Sequence, residues 1–193
     1  MLGPRFGSES TVLPDRGTGP HDPATPSARA RHGCRREVLV FESCYSPYES
    51  AHLLHERFRL PVKVFADQPY LRTGPLIEVV DVAAELGRVV LAQLAPLPAA
   101  PVVTDPREQR WIFLVAPPTP YHPVPVSLQR RLRQYATCVP APGSRVMLPR
   151  SDGRDGWHWA CEPEPGAMRL PRRWSVLHAV RLAILGGADH VSA

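Results

Sequence analysis

Lysine is almost missing from this sequence, and so are several signatures that would identify an enzyme. Lys63 is the only lysine among 23 basic residues, so arginine supplies nearly all of the positive charge. This preference, together with abundant alanine, proline, glycine and valine, is typical of a GC-rich genome and does not by itself indicate selection for phosphate binding. The sequence contains no G-x-x-x-x-G-K-[ST] or G-x-G-x-x-G loop and no G-x-S-x-G elbow. It therefore predicts neither a phosphate-binding loop nor an α/β-hydrolase.

The formal charge is +5, but it is unevenly distributed along the chain. Residues 1–36 contain six arginines and three acidic residues, which gives this segment a net charge of +3. Residues 37–193 contain 17 basic and 15 acidic residues, a net charge of +2. Because this larger region is nearly neutral, it has no general attraction to nucleic acid, and any basic binding surface must be local.

No segment is apolar and uninterrupted enough to span a membrane as a helix. Residues 89–103 form the most apolar stretch, and Pro96, Pro98 and Pro101 interrupt it. Residues 1–20 lack the apolar run of a secretory signal peptide, and none of the four cysteines belongs to a C-x-x-C pair. We therefore expect a cytoplasmic protein without membrane contact, in which free thiols are the rule and disulfides the exception.

Proline is unusually abundant, with 24 of 193 residues, and this excludes a coiled coil or an ordinary helical bundle. Residues 1–36 are rich in glycine, proline, serine and arginine and poor in large apolar side chains, which predicts a disordered tail. Alternatively, this segment is an extension upstream of the true start. From residue 37 the pattern predicts one compact domain over 37–188, which could consist of two αβ halves, 37–96 and 101–188.

Within this domain, short apolar segments alternate with amphipathic ones. The pattern predicts an α+β fold, with three to four short helices packed on a mixed, largely antiparallel sheet. Strands are predicted at 37–41, 62–66, 76–80, 101–104, 110–115, 137–139, 145–148 and 157–161. Helices are predicted from Ser46-Pro47 to Pro61, at 82–94 after a cap at Asp81, from a cap at Ser127 to Tyr135, and at 175–185 before a stop at Gly186-Gly187. Residues 153–156 are predicted to form the hairpin turn between the last two strands.

Two groups of side chains suggest contact with nucleic acid. Trp157 and Trp159 alternate along a predicted strand and so share one face, where they could stack on bases. The alternative is that they pack beneath a helix. Neighbouring arginines could contact phosphates, or they could simply form a solvated face. The candidate nucleic-acid-binding residues are Arg130, Arg131, Arg133, Arg145, Arg150, Trp157 and Trp159.

A metal site is a weaker hypothesis. His52 and His55 lie three positions apart on the first predicted helix and could face one ion, with Cys44 as a further ligand. The spacing fits no standard zinc finger, however, and exposed histidines on a polar helix face explain the pattern more simply. No cofactor is predicted.

The order of several short motifs is familiar. The chain has an apolar strand at 111–115, then the segment GSRVMLPRS at 143–151, Gly153, the sequence WHW at 157–159 and Leu170-Pro171. This order resembles the last third of the archaeo-eukaryotic-type primase-polymerase domain of bacterial bifunctional DNA primase/polymerases. The wider pattern from Val38 to Leu185 is similar to a group of short actinobacterial proteins that carry primase/polymerase-like or RNA polymerase subunit names.

The metal ligands of that family are missing from this sequence. The resemblance implies two divalent cations held by an Asp-x-Asp pair and a third acid. No Asp-x-Asp or Glu-x-Asp occurs here, and the acids Glu78 and Asp81 lie three positions apart. Arg150 also replaces the second proline of the family's Pro-Pro-Ser. We therefore expect a non-catalytic relative, more a binding protein than an enzyme, that associates weakly with nucleic acid or has a regulatory role.

Two other functions are open at this point. The first is a protein-interaction module that belongs to the transcription machinery or another cellular machine and makes no contact with nucleic acid; the nearly neutral charge of residues 37–193 favours it. The second is a metal-dependent enzyme that uses Cys44, His52 and His55.

Overall fold

The computed structural model describes residues 46–95, 100–150, 155–164 and 169–188. All of these residues belong to one compact unit that comprises residues 32–193. Three predicted segments lie outside the described residues, namely the strand at 37–41, the tail at 1–36 and the first half of the turn at 153–156. No helix in the described part is long and apolar enough to cross a membrane.

Four helices and seven strands make up the described part of the fold, and the predicted α+β class is confirmed. The helices are α1 (Pro47–Phe58), α2 (Ala84–Leu94), α3 (Val126–Arg133) and α4 (Arg173–Ala188). The strands are β1 (Lys63–Phe65), β2 (Gln68–Arg72), β3 (Glu78–Ala83), β4 (Val102–Thr104), β5 (Arg110–Val115), β6 (Arg145–Met147) and β7 (His158–Cys161).

The strands form two antiparallel sheets. A three-stranded sheet has the order β1-β2-β6, and a four-stranded sheet has the order β3-β5-β4-β7. Strand β3 comes from the predicted first half of the domain and pairs along its whole length with β5 from the second half. The two halves therefore share one sheet.

Each face of the four-stranded sheet is covered by its own hydrophobic core. In β5, Phe113 and Val115 belong to one core, while Ile112 and Leu114 belong to the other, as alternation along a strand requires. Helices α2 and α4 pack over the first face and contribute, for example, Val90 to what we call the helix-side core. Helix α1 and the inner face of the three-stranded sheet cover the second face and form the sheet-side core.

Helix α1 begins and ends as its sequence predicts. The Ser46 side chain accepts a hydrogen bond from the Glu49 N–H, and the Glu49 carboxylate accepts one from the Ser46 N–H, which forms a capping box. Leu54 and Phe58 point into the sheet-side core. The helix ends at Arg59, which adopts the left-handed conformation two residues before Pro61.

The predicted caps of the next two helices are wrong. Asp81 lies inside β3, which continues to Ala83, and α2 begins at Ala84 without a side-chain cap. Extended pairing with β5 therefore overrides the local capping preference of an aspartate. Helix α3 begins at Val126, with Pro125 at the N-cap position, so Ser127 lies inside the helix and does not cap it.

Three further predictions about the second half of the domain are wrong. Residues 137–139 do not form a strand but make an isolated bridge, in which Cys138 pairs with Asp81 of β3. Strands β6 and β7 do not form a hairpin, because β6 pairs with β2 and β7 pairs with β4 in the other sheet. Helix α4 does not stop at its double glycine but extends to Ala188.

The expectation of free thiols holds for one of the two cysteines in the described part of the chain. Cys138 is free, whereas Cys161 at the end of β7 is disulfide-bonded. Burial raises the pKa of the Cys138 thiol, and the nearby Asp81 carboxylate raises it further. This thiol is therefore poorly suited to act as a nucleophile.

Candidate nucleic-acid interface

The outer face of the three-stranded sheet is basic. Leu71, Val146 and Leu148 point inward to the sheet-side core, so the alternate residues of the same strands point away from it. The register brings these alternate residues together on one side of the sheet. We call this side the basic face; it consists of Lys63, Phe65, Gln68, Tyr70, Arg72, Arg145 and Met147.

Arg145 lies across the aromatic side chains of the basic face. Its guanidinium carbon is 4.1 Å from the centre of the Phe65 ring and 5.5 Å from the centre of the Tyr70 ring. Phe65 is 50% exposed, whereas Tyr70 is buried. A cation held over a half-exposed aromatic ring presents both a charge and a flat apolar surface to solvent.

Two arginines of the basic face stand directly opposite each other. Arg72 of β2 and Arg145 of β6 are register partners, and both are exposed. Like charges at directly opposed positions destabilise a sheet, so this pairing costs free energy in the unbound protein. Lys63 adds a third exposed cation from β1. None of the seven residues that define the face is acidic, and an anion bound there would relieve the repulsion.

The chain that leads into β6 is held firmly, which positions Arg145. The hydroxyl of the buried Thr73 donates a hydrogen bond of 2.8 Å to the Ala141 carbonyl oxygen. The backbone N–H of Thr73 donates one of 3.0 Å to the Ser144 carbonyl oxygen. The Gly143 N–H donates a hydrogen bond to the Thr73 carbonyl oxygen, and Gly143 has a φ of +86°, a conformation that favours glycine. Arg145 therefore begins its strand from a fixed turn.

The arginines predicted on the third helix lie elsewhere. Arg130, Arg131 and Arg133 are exposed in the last turn of α3, where positive charge is favoured by the partial negative charge of the helix C-terminus. Arg130 and Arg133 border a groove of about 400 Å³ whose lining is mainly apolar. Leu132 anchors this helix in the helix-side core. The three arginines thus already have a structural explanation.

The two tryptophans predicted to stack on bases are partly buried. Trp157 and Trp159 pack against the sheet-side core, whereas Leu132 of α3 packs in the helix-side core. The alternative that the tryptophans contribute to packing therefore agrees with the structure. The tryptophans and helix α3 therefore pack against opposite faces of the four-stranded sheet.

The remaining candidate residues are dispersed. The exposed Arg150 follows β6, and its carbonyl oxygen accepts a hydrogen bond of 2.6 Å from the buried Ser50 hydroxyl of α1. His52 and His55 are exposed on α1, and the His55 Nδ1 atom lies 3.0 Å from the Leu60 carbonyl oxygen. Cys44 lies outside the described residues. Within the described ranges, no three His, Cys, Asp or Glu side chains are grouped closely enough to hold a metal ion.

The two acids of β3 face opposite sides of their sheet, because residues three apart on a strand alternate in direction. The Glu78 carboxylate is buried and receives two hydrogen bonds, of 3.0 and 2.9 Å, from one guanidinium nitrogen of Arg173. Asp81 instead receives hydrogen bonds of 2.9 and 2.8 Å from Arg110. Burial raises the pKa of Asp81, although Arg110 opposes that shift. Each carboxylate is thus engaged with its own arginine.

Comparison with known proteins does not indicate a function for these residues. No protein-family model, curated protein or solved structure matches the chain. The chemistry of the surface itself must therefore carry any conclusion about function.

Sequence reasoning identified only one member of the basic face, Arg145. Tyr70 and Arg72 were missed because β2 was not predicted, and Lys63 and Phe65 were missed because the predicted strand at 62–66 then had no neighbour to show which of its sides faces solvent. The alternation of Lys63 and Phe65 with valine in β1 was the available signal, but three residues are too few to show which face is solvated.

Proposed function

We propose that this protein binds single-stranded nucleic acid weakly and without catalysis, through the basic face. The observation that carries this proposal is the guanidinium of Arg145 over the half-exposed ring of Phe65, with Arg72 and Lys63 on the same face. Cations that hold the backbone beside an aromatic ring that stacks on bases are the usual components of single-strand binding surfaces.

A single strand fits this face better than a duplex. Phe65 lies on a flat sheet surface and not on a protruding helix, so it could contact a base only where that base is unstacked from its neighbours. With three cations, the face would neutralise about three phosphates. Log affinity should then fall with log salt concentration with a slope of about −2.

The sequence resemblance supports the same proposal. The segment at 143–151 that resembles the primase-polymerase domain contains β6, the strand that carries Arg145. In place of catalytic carboxylates, this chain has the arginine-bound acids Glu78 and Asp81. A binding role that does not require magnesium is consistent with both observations.

The experiment is a fluorescence anisotropy titration of a labelled oligothymidylate of about 15 nucleotides, long enough to cover one such face. The variant Phe65→Ala should weaken binding by about 1 to 3 kcal/mol, the usual value for one base–aromatic contact. The variant Arg145→Ala should both weaken binding and make the salt dependence shallower by roughly one phosphate contact.

The matched control removes equal or greater charge from another surface. The triple variant Arg130→Ala, Arg131→Ala and Arg133→Ala deletes three exposed cations from α3 and leaves the basic face intact. We expect this variant to bind the oligonucleotide almost as tightly as the unaltered protein. If the triple variant abolishes binding while Phe65→Ala has no effect, the interface is on α3 and the basic face is not the site.

A further inference from the structure

A second open surface lies on the other side of the molecule, where α2 and α4 cover the helix-side core. Four apolar side chains are exposed there although they are large: Trp174 at 71%, Leu182, Leu185 and Val89. On α4, positions 174, 178, 182 and 185 follow one face of the helix. Exposed apolar side chains that are grouped in this way, and not scattered, mark an interaction surface.

The surface is shaped as a groove between the two helices. Trp174, Ser175, His178 and Leu182 of α4 line it together with Gln93 of α2, and its volume is about 330 Å³. The first turn of α4 therefore lies beside the last turn of α2. The lining is mixed but mainly apolar, with Trp174 and Leu182 exposed, and a groove of this kind accepts the apolar face of another helix through side chains spaced by three or four residues.

The charges beside the groove determine which kind of helix is complementary to it. Helix α4 contains no acidic residue, and its exposed polar positions in this region are His178 and Arg181. The only acid of α2, Glu85, is at the opposite end of that helix from Gln93. An occupant that carries negative charge at the edges of its apolar face is therefore complementary to this groove.

A second copy of the chain is less suitable. A two-fold axis that crosses α4 near its middle would place Arg181, at the middle of this 16-residue helix, opposite its own copy. Such a contact would bring two arginines together without an acid between them. The segment 1–36 of this chain is also unsuitable, because its net charge is +3.

We infer that the groove between α2 and α4 binds an acidic amphipathic helix of another protein. Trp174 and Leu182 contact the apolar face of that helix, and Arg181 interacts with its carboxylates. The groove and the basic face lie on opposite sides of the four-stranded sheet, since one covers the helix-side core and the other the sheet-side core. The two surfaces can therefore be occupied at the same time.

The test uses two labelled helical peptides of about 18 residues, roughly 27 Å, a length that covers α4. Both carry leucines at helical spacing; one has glutamates at the remaining positions and the other has lysines. Fluorescence anisotropy with the full chain should show the acidic peptide binding at least about tenfold more tightly than the basic one. The variant Arg181→Glu should remove or reverse this preference.

Two variants of exposed leucines locate the site. Leu182→Ser should weaken binding of the acidic peptide by about tenfold or more, the loss expected for a central apolar contact. Leu76→Ser removes a leucine that is 79% exposed outside α2 and α4, and it should leave binding unchanged. Because both side chains lie on the surface, circular dichroism and thermal unfolding should be unaltered in both variants.

Several results would overturn the inference. These are equal binding of the two peptides, no binding of either, or an equal loss in Leu76→Ser and Leu182→Ser. Sedimentation of the protein without peptide tests whether a second copy of the chain occupies the groove. A dimer that Leu182→Ser dissociates would show that a second copy, and not an acidic helix, covers the groove.

Discussion

The two sides of the four-stranded sheet differ in how they use charge. On the helix side, Glu78 and Arg173 are both buried, with side chains 4% and 10% exposed, and their ion pair joins β3 to the start of α4. On the sheet side, Asp81 and Arg110 form a comparable ion pair, but their side chains are 23% and 34% exposed. One strand, β3, thus carries one buried and one solvated ion pair on its two faces.

The outer surfaces on the two sides, the groove between α2 and α4 and the basic face, also differ in charge. On the helix side the groove between α2 and α4 is apolar, whereas on the sheet side the basic face carries three exposed cations. The helix side therefore buries its ion pair and exposes a mainly apolar surface with Arg181 beside it, whereas the sheet side exposes part of its ion pair and the three cations of the basic face. We infer that the buried pair serves the fold, while the exposed cations are available for a ligand.

The largest expected effect comes from breaking the buried pair. Glu78→Gln keeps the shape of the side chain but leaves the Arg173 guanidinium buried without an opposite charge. It should reduce the free energy of unfolding by about 3 to 5 kcal/mol, as is usual when one partner of a buried ion pair is removed. Equilibrium unfolding in urea measures this change.

Asp81→Asn is the matched substitution on the sheet side. Arg110 is one-third exposed and can be hydrated, so the loss should be only about 1 kcal/mol. Equal losses in Glu78→Gln and Asp81→Asn would contradict the distinction between a buried and a solvated pair.

The next prediction concerns the close packing of α2 against β5. Gly87 of α2 lies against Trp111, and a Cβ atom at this glycine would be 2.7 Å from the Trp111 Cβ atom. Alanine normally stabilises a helix by about 1 kcal/mol relative to glycine. Here the close contact lies near the Trp111 backbone and cannot easily move, so overpacking of about 1 to 3 kcal/mol should outweigh that gain.

Thermal or urea unfolding of Gly87→Ala should therefore show a net loss of stability. Gly186→Ala in α4 is the control, because no atom lies within 4 Å of the position that its Cβ would occupy. That variant should be neutral or slightly more stable. A stabilised Gly87→Ala would mean that α2 is not held closely against β5.

The elements that could be predicted from sequence are those whose signals are local. Helix α1 has a capping box and a proline at its start, and β5 is a continuous apolar run; both were placed correctly. Strand β2 was missed because Pro69 lies inside it and a turn precedes it, features that argue against a strand. Its pairing with β6, far along the chain, overrides that local signal.

The basic face was beyond local reasoning for the same physical reason. Arg145 was identified as a candidate, but the rings that it covers belong to β1 and β2, and only the pairing of three strands brings them beneath it. The α3 arginines, by contrast, were identified from the sequence alone, and their part in binding stays a prediction. They are adjacent in sequence and look like a binding cluster, yet the helix C-terminus already accounts for them.

The smallest expected effect is a substitution in the basic face that should not lower the free energy of unfolding but should weaken oligonucleotide binding. Arg72→Ala removes one of two directly opposed arginines, so the free protein should keep its stability or gain up to about 0.5 kcal/mol, despite the loss of an arginine from a central strand. The same variant should weaken oligonucleotide binding and make its salt dependence shallower, because one phosphate contact is lost. Urea unfolding and anisotropy titration of the same sample measure the two changes. If Arg72→Ala is less stable and binds the oligonucleotide normally, then Arg72 stabilises the sheet and does not contact the ligand.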